Sequence, residues 1–263
     1  MSEAAEATAL LTLDGPVATI TMNRPAAYNS FNKDMAMTVQ RHLDTCHENS
    51  AIRAVVLTGA GKAFCAGQDL VEVKDLDDEA LLKIVESYYN KIVRQIRALP
   101  KPVIAAVNGV AAGAGANIAL ACDVVVASEK ASFIQAFSKI GLIPDSGGTY
   151  TLPRLIGLQR ASAIMMLGEK VSAQDAEAMG MIYKAVPVDE FQDNISQLSQ
   201  QLGHMPTKGL AYTKALLNKT FENSLDEQLD LEGHYQQKAG RTADYKEGVA
   251  AFVEKRAPQF TGQ

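Results

Sequence analysis

The sequence predicts an α/β fold with largely buried strands, on three observations. Residues 54–58, 103–107 and 124–127 are short uncharged runs that read as strands covered on both faces. They alternate with longer stretches whose apolar residues recur at helical spacing. From Leu158 onward the pattern turns mostly helical, with one short strand over 182–186, and the last sixty residues read as three helices.

Taken in order, residues 10–13 and 17–22 flank Asp14-Gly15 and predict a hairpin that ends at Asn23-Arg24-Pro25. Met35, Val39, Leu43 and Cys46 share one face of a helix over 33–48. Residues 59–67 form a loop of small residues, and the acidic stretch 71–79 reads as an irregular surface segment. A long amphipathic helix over 80–99 carries Ile84, Tyr88, Ile92, Ile96 and Leu99, and Pro100 stops it. Gly113 opens a helix running to about Cys122, and residues 141–149 form a loop holding Pro144, Gly147 and Gly148. The apolar faces of the last helices need covering, which suits an oligomer contact.

Composition narrows the function classes. A net charge of −5 offers no electrostatic footprint for nucleic acid. The three cysteines are odd in number and form no CxxC pair, so neither a disulfide framework nor a zinc site is implied, and a reducing cytoplasm is expected. Residues 1–9 lack a basic start and read as no secretory signal. The uncharged run 103–122 is long enough to span a bilayer, but its Ala/Gly content and Asn108 and Asn117 favour a buried strand followed by a buried helix.

Small-residue loops at 63–67, 109–116 and 144–148 adjoin strands. The first two offer backbone N–H groups with little side chain in the way, which suits an oxyanion hole; the same residues also suit close strand–helix packing. Rival motifs are incomplete. Gly113-Ala114-Gly115 lacks the remainder of a dinucleotide fingerprint, Gly59-Ala60-Gly61-Lys62 lacks the lead and the Ser/Thr of a phosphate loop, and Ser146 has no GxSxG frame. His42, His47, His204 and His234 are scattered, so no metal centre is expected.

Three motifs then become specific by order and spacing: Phe64-Cys65-Ala66-Gly67-Gln68-Asp69-Leu70, Pro102-Val103-Ile104-Ala105-Ala106-Val107-Asn108-Gly109, and Ile143-Pro144-Asp145-Ser146-Gly147-Gly148-Thr149. With them the chain resembles the crotonase (enoyl-CoA hydratase/isomerase) superfamily over nearly its whole length. Phe137 to Asp145 and the tail from Ala239 to Tyr245 and Gln259 to Gly262 are similar to members that rearrange a ring epoxide. The resemblance implies a spiral of ββα units with a C-terminal helical trimerisation region. Residues 1–200 would be the acyl-CoA-binding and catalytic core, and 201–263 the oligomerisation region of a homotrimer or dimer of trimers.

It also implies that the amides of Ala66 and Ala114 hold the thioester oxygen. Ala66, Gly67, Gln68, Asp69 and Leu70, with Ala114, Asn117 and Phe137, would line the ligand, and Lys255 would reach a neighbour's phosphates. Coenzyme A enters as part of the substrate, with no separate cofactor. Hydratases of the family use two glutamates; those positions here are Asn117 and Phe137, so the hydrating pair is absent. Asp145 remains as the proton carrier, although an aspartate there also suits a helix cap. Asn117 reads either as a hydrogen-bonding helper or as a polar residue on a buried helix. The expected activity is an acyl-CoA isomerase that moves a double bond or rearranges a ring epoxide. The alternatives are an enoyl-CoA hydratase, a non-catalytic partner of a related hydratase, and a nicotinamide oxidoreductase.

Overall fold

The β-branched runs become the strands of a sheet, and the chain returns between them by helices. The computed structural model of the chain describes residues 7–74 and 77–263, so two residues of the 71–79 stretch and most of the extreme N-terminus lie outside the described residues. The elements run β1 (Ala9–Asp14), β2 (Val17–Met22), α1 (Lys33–Glu48), β3 (Ala54–Gly59), β4 (Ala63–Cys65), α2 (Leu70–Val73) and α3 (Asp78–Ile84). A π turn (Val85–Asn90) leads into α4 (Lys91–Ala98), followed by β5 (Val103–Val107), β6 (Val110–Ala112), α5 (Ala114–Leu120), β7 (Val124–Ser128) and β8 (Ser132–Ile134). Then come α6 (Gly148–Ile156), α7 (Leu158–Leu167), β9 (Lys170–Ser172), α8 (Ala173–Ala178) and β10 (Lys184–Val186). The chain closes with α9 (Phe191–His204), α10 (Thr207–Leu217), α11 (Leu225–Ala239) and α12 (Ala243–Glu254).

Two sheets result. The larger has the order β1-β2-β3-β5-β7-β10 and is parallel except for the β1–β2 hairpin; the smaller has the order β4-β6-β8-β9. Each of β3, β5 and β7 is followed directly by β4, β6 or β8, so every turn of the chain lays one strand in each sheet beside its predecessor. That is the spiral the resemblance implies, formed without an internal sequence repeat. Residues of the larger sheet alternate between faces. Val55 and Leu57 join the core that also holds Met35, Val39 and Ile92, whereas Ala54, Val56 and Ile104 pack with Phe191 and Ile195 of α9.

The structure corrects several sequence expectations. The hairpin loop is Gly15-Pro16, one residue later than expected, because Asp14 pairs with Val17. Gly15 takes the positive φ (+55°) that such a tight loop requires and leaves Pro16 its fixed negative φ. Strands β4 and β6 lie inside stretches read as loops; three residues are too few to show a period. The run 103–122 divides into β5, β6 and α5, and among the described residues no helix is long and apolar enough to cross a membrane.

The helix over 80–99 is interrupted by the π turn, whose extra residue rotates the register. Tyr89, rather than Tyr88, is therefore the buried tyrosine. The carbonyls of Ser87 and Tyr88 accept from Nε2 of buried Gln40 on α1, at 2.7 and 3.4 Å, which supplies a partner where the helical ladder is disturbed.

The C-terminal helices reach the core through charge. Asp123 pairs with Lys214 of α10 (2.7 Å) and Arg97 of α4 (3.0 Å) and accepts from the Val103 amide (2.9 Å). Lys214 also donates to the carbonyls of Ile96 (2.7 Å) and Lys101 (3.2 Å). Removing one member of such a group strands a buried charge. Asp123→Ala is expected to lower stability by about 3 kcal/mol, measured as a reduced urea midpoint at unchanged slope.

Candidate active site

One edge of the spiral gathers the loops that follow β4, β6 and β8, and a segment outside the expected motifs aims the first of them. Tyr28 and Asn29 hold positive φ (51° and 55°), and the Asn29 side chain donates to the carbonyls of Ala60 and Ala63, both at 2.8 Å. This braces residues 28–31 alongside residues 66–69. The Ala66 N–H donates to the Tyr28 carbonyl (3.0 Å), the Phe31 N–H to the Gly67 carbonyl (2.7 Å), and the Asp69 N–H to the Phe31 carbonyl (2.9 Å).

These bonds leave the expected first donor occupied. The Ala66 amide already has its acceptor in Tyr28. In a trans peptide the carbonyl and the N–H point oppositely. Because the Gly67 carbonyl faces Phe31, the Gln68 N–H is turned away from Phe31, and it has no partner among the described residues. The signal for this was present in the sequence only as the glycine before Gln68. Gly67 has φ +91°, and a Cβ there would stand 2.9 Å from the Ala112 carbonyl oxygen.

The second donor stands close by. The same hypothetical Cβ would lie 3.6 Å from the Ala114 nitrogen, so the two segments adjoin. Ala114 is the first residue of α5, where an amide has no intrahelical acceptor, and its N–H too has no partner among the described residues. Gly115 permits this approach, since a Cβ would meet the Cys65 carbonyl oxygen at 2.4 Å. Cys65 itself is buried, and burial pushes its thiol up to about 12, which leaves it an inert packing group.

Asp145 lies on the loop before α6. The helix is capped by Gly147 with no side-chain cap, so the carboxylate does not serve the capping role; the Asp145 main-chain carbonyl accepts from the Gly148 amide instead (2.8 Å). That carbonyl also accepts from Asn117 Nδ2 (2.9 Å), and Asn117 Oδ1 accepts from Gln135 Nε2 (2.7 Å). Asn117 is thus a hydrogen-bonding support for the loop. Gly148 makes room for it, because a Cβ there would fall 2.3 Å from Asn117 Nδ2. The buried hydroxyl of Ser146, held at φ +52°, donates to Asp145 Oδ1 (2.7 Å). Burial raises the Asp145 pKa above the ordinary carboxylate value, and the Ser146 bond opposes that only in part.

These groups share an apolar cavity of about 150 Å³, a scale that admits a ring of benzene size. Ala66, Gly67, Gln68, Leu70, Ala114, Phe137 and Asp145 line it, together with Leu81, Ile84 and Val85. Two residues expected along the ligand do not: Asp69 pairs with Arg24 (2.9 Å) and caps α2, and Asn117 is turned to the loop. Lys255, expected to reach a neighbour's ligand, follows α12 on the surface. Sequence reasoning missed Tyr89, which lines the cavity and donates from its hydroxyl to Gln68 Oε1. Its signal was hidden by the π turn. Among the described residues no group of three or more His, Cys, Asp or Glu stands placed to hold a metal ion.

The Enoyl-CoA hydratase/isomerase family model matches residues 13–263. The 1,2-epoxyphenylacetyl-CoA isomerase of Escherichia coli (strain K12) is 49% identical over 251 residues, 94% of this chain and 95% of that protein. A probable enoyl-CoA hydratase of Rhodobacter capsulatus is 43% identical over 249 residues, 94% of this chain and 95% of its own length. The crystal structure of an enoyl-CoA hydratase from Bacillus anthracis superposes with a TM-score of 0.93 at 32% identity, covering 97% of this chain and all of that one.

The raised Asp145 pKa means that folding favours the protonated acid. Its contribution is present below the unfolded value, about 3.9, and is lost as pH rises through the folded pKa. Asp145→Asn is therefore expected to melt higher than the parent protein at pH 7. The difference should shrink to nothing below about pH 3.9, which thermal melts across a pH series will read.

Proposed function

The chain belongs to the enoyl-CoA hydratase/isomerase family, and from that premise we propose that it is an acyl-coenzyme A isomerase working through an oxyanion. The observation that carries the reading is the pairing of one carboxylate with two unpartnered amides in an apolar cavity that, among the described residues, is lined by no second carboxylate and by no histidine or lysine. Phe137 occupies one glutamate position of the hydratases as a cavity wall, and Asn117 occupies the other with its amide held between Asp145 and Gln135. Neither side chain can activate water.

The thioester oxygen accepts from the N–H groups of Gln68 and Ala114, which lowers the cost of negative charge on it. Asp145 as carboxylate takes a proton from carbon near the carbonyl. The electron pair moves into the enolate, and the new carboxylic acid returns the proton further along the chain. One C–H bond breaks and another forms, so a double bond moves with no net gain or loss of atoms. On a substrate carrying a ring epoxide, as in the name of the E. coli relative, the same polarisation assists opening to a seven-membered ring. Coenzyme A is part of the substrate and the reaction requires no separate cofactor.

The assembly we propose is a homotrimer or a dimer of trimers in the cytoplasm, with 1–200 as catalytic core and 201–263 as the oligomerisation region. The exposed apolar side chains of α12, above all Phe252 (85% exposed) and Val253 (73%), support a covered surface there. Lys255, which follows them, would meet a neighbour's ligand phosphates in such an assembly. A hydratase is the second reading, favoured by the R. capsulatus relative.

Conversion of a 3-enoyl-CoA to its 2-enoyl isomer, followed by absorbance of the conjugated thioester, is expected from the purified protein alone. Asp145→Asn should reduce it by about 10²–10⁴-fold. Hydration of crotonyl-CoA that outruns isomerisation and is indifferent to Asp145→Asn would sink the isomerase reading. Failure to turn over any acyl-CoA, with tight binding to a hydratase, would favour a scaffold.

A further inference from the structure

We propose that Tyr89 is a positioning residue that holds the Gln68 amide on target; this rests on the reading of that amide as a donor to the thioester oxygen. The Tyr89 hydroxyl donates to Gln68 Oε1, while Gln68 Nε2 donates to the carbonyls of Phe31 (3.1 Å) and Asp69 (3.3 Å). The two carbonyl acceptors fix which end of the side-chain amide is nitrogen, so Oε1 must be the atom that meets the tyrosine. All the bonds around Gln68 then close on one another. Its side chain is clamped by Phe31, Asp69 and Tyr89, its preceding carbonyl is held by the Phe31 amide, and its own N–H is left without a partner among the described residues.

The tyrosine is itself well fixed. Its ring stands edge-on to Phe31 (centroids 5.7 Å apart, planes at 89°), so the residue that aims the Gly67–Gln68 peptide also braces the residue that holds the Gln68 side chain. The π turn places it there, and Gln40 satisfies the carbonyls of that turn. Burial drives the Tyr89 pKa well above its ordinary value, so the hydroxyl stays a donor.

The consequence is electrostatic as well as geometric. Gln68 Oε1 is an acceptor beside a site that must receive an oxyanion. Bonded to Tyr89 it is fixed and its lone pair is engaged; released, it competes with the thioester oxygen for the same donors. Tyr89→Phe removes only the hydroxyl and keeps the ring against Phe31.

The test uses the full chain and two readouts. The first is the infrared C=O stretch of bound phenylacetyl-CoA labelled with ¹³C at the thioester carbon, which reports polarisation without turnover. The second is isomerase kinetics. The wild-type protein is expected to lower the C=O frequency relative to free ligand, and Tyr89→Phe to shrink that shift. In the same variant kcat should fall about tenfold, with KM within about twofold. Gln68→Ala, which keeps the backbone N–H, should do the same, and the double variant should be no worse than the weaker single one. Should Tyr89→Phe not fold, Gln68→Ala breaks the same bond from its other end and carries the test alone.

An unchanged carbonyl shift and kcat, or losses that multiply in the double variant, would overturn the proposal. Absence of wild-type turnover with a Tyr89-dependent carbonyl shift would instead overturn the isomerase reading and leave this inference standing.

Discussion

The chemistry proposed for this protein depends on the orientation of one peptide plane, that between Gly67 and Gln68. Phe31 takes the carbonyl on one side of the plane, and planarity turns the N–H away from Phe31 on the other side, at a residue that lines the cavity. Fixing the donor before any ligand arrives means that charge on the ligand oxygen meets a dipole already in place, so no reorganisation is charged to the reaction. The surrounding features serve this arrangement. Positive φ at Gly67 lets the chain turn, Asn29 braces the supporting segment, and Gly115 lets α5 come close enough to bring the Ala114 amide beside it.

On the lining of the same cavity, the fold keeps a carboxylate where burial disfavours its charge. The Gln135–Asn117–Asp145 chain of hydrogen bonds holds the loop by its main chain, so the Asp145 side chain is positioned without being neutralised by a basic partner. Had the carboxylate capped α6, the amides of the helix would have stabilised its charge and weakened it as a base. Gly147 caps the helix without a side chain, which leaves that reactivity intact.

The spiral explains how distant stretches of sequence reach a common site. Each turn lays one strand in each sheet, so the loops after successive small strands stack at one edge, and α3 with its π turn closes the cavity from the other side. The asymmetry of the surface follows from the same plan. The larger sheet is covered on one face by α1 and α4 and on the other by α9, whereas the last helices attach to the core through the Asp123 group and leave apolar side chains outward.

By itself the sequence determined the class of fold and most of the long elements, and it singled out Asp145, which the fold places on the lining of an apolar cavity. These depend on periodicity, breakers and local motifs, which are properties of short stretches of chain. The amide at position 114 was legible for the same reason, since it opens a helix at a glycine. Tertiary structure decided the rest. It engaged the Ala66 amide with Tyr28 and left that of Gln68 without a partner among the described residues, because an amide's availability depends on what its neighbours accept. It turned Asp69 to Arg24 and Asn117 to the Asp145 loop, partners 45 and 28 residues away in sequence, and left both off the cavity lining. It brought in Tyr89 through a π turn that a regular helical period conceals. Hydrogen-bond direction is set by pairs of residues remote in sequence, and no reading of one stretch at a time contains it.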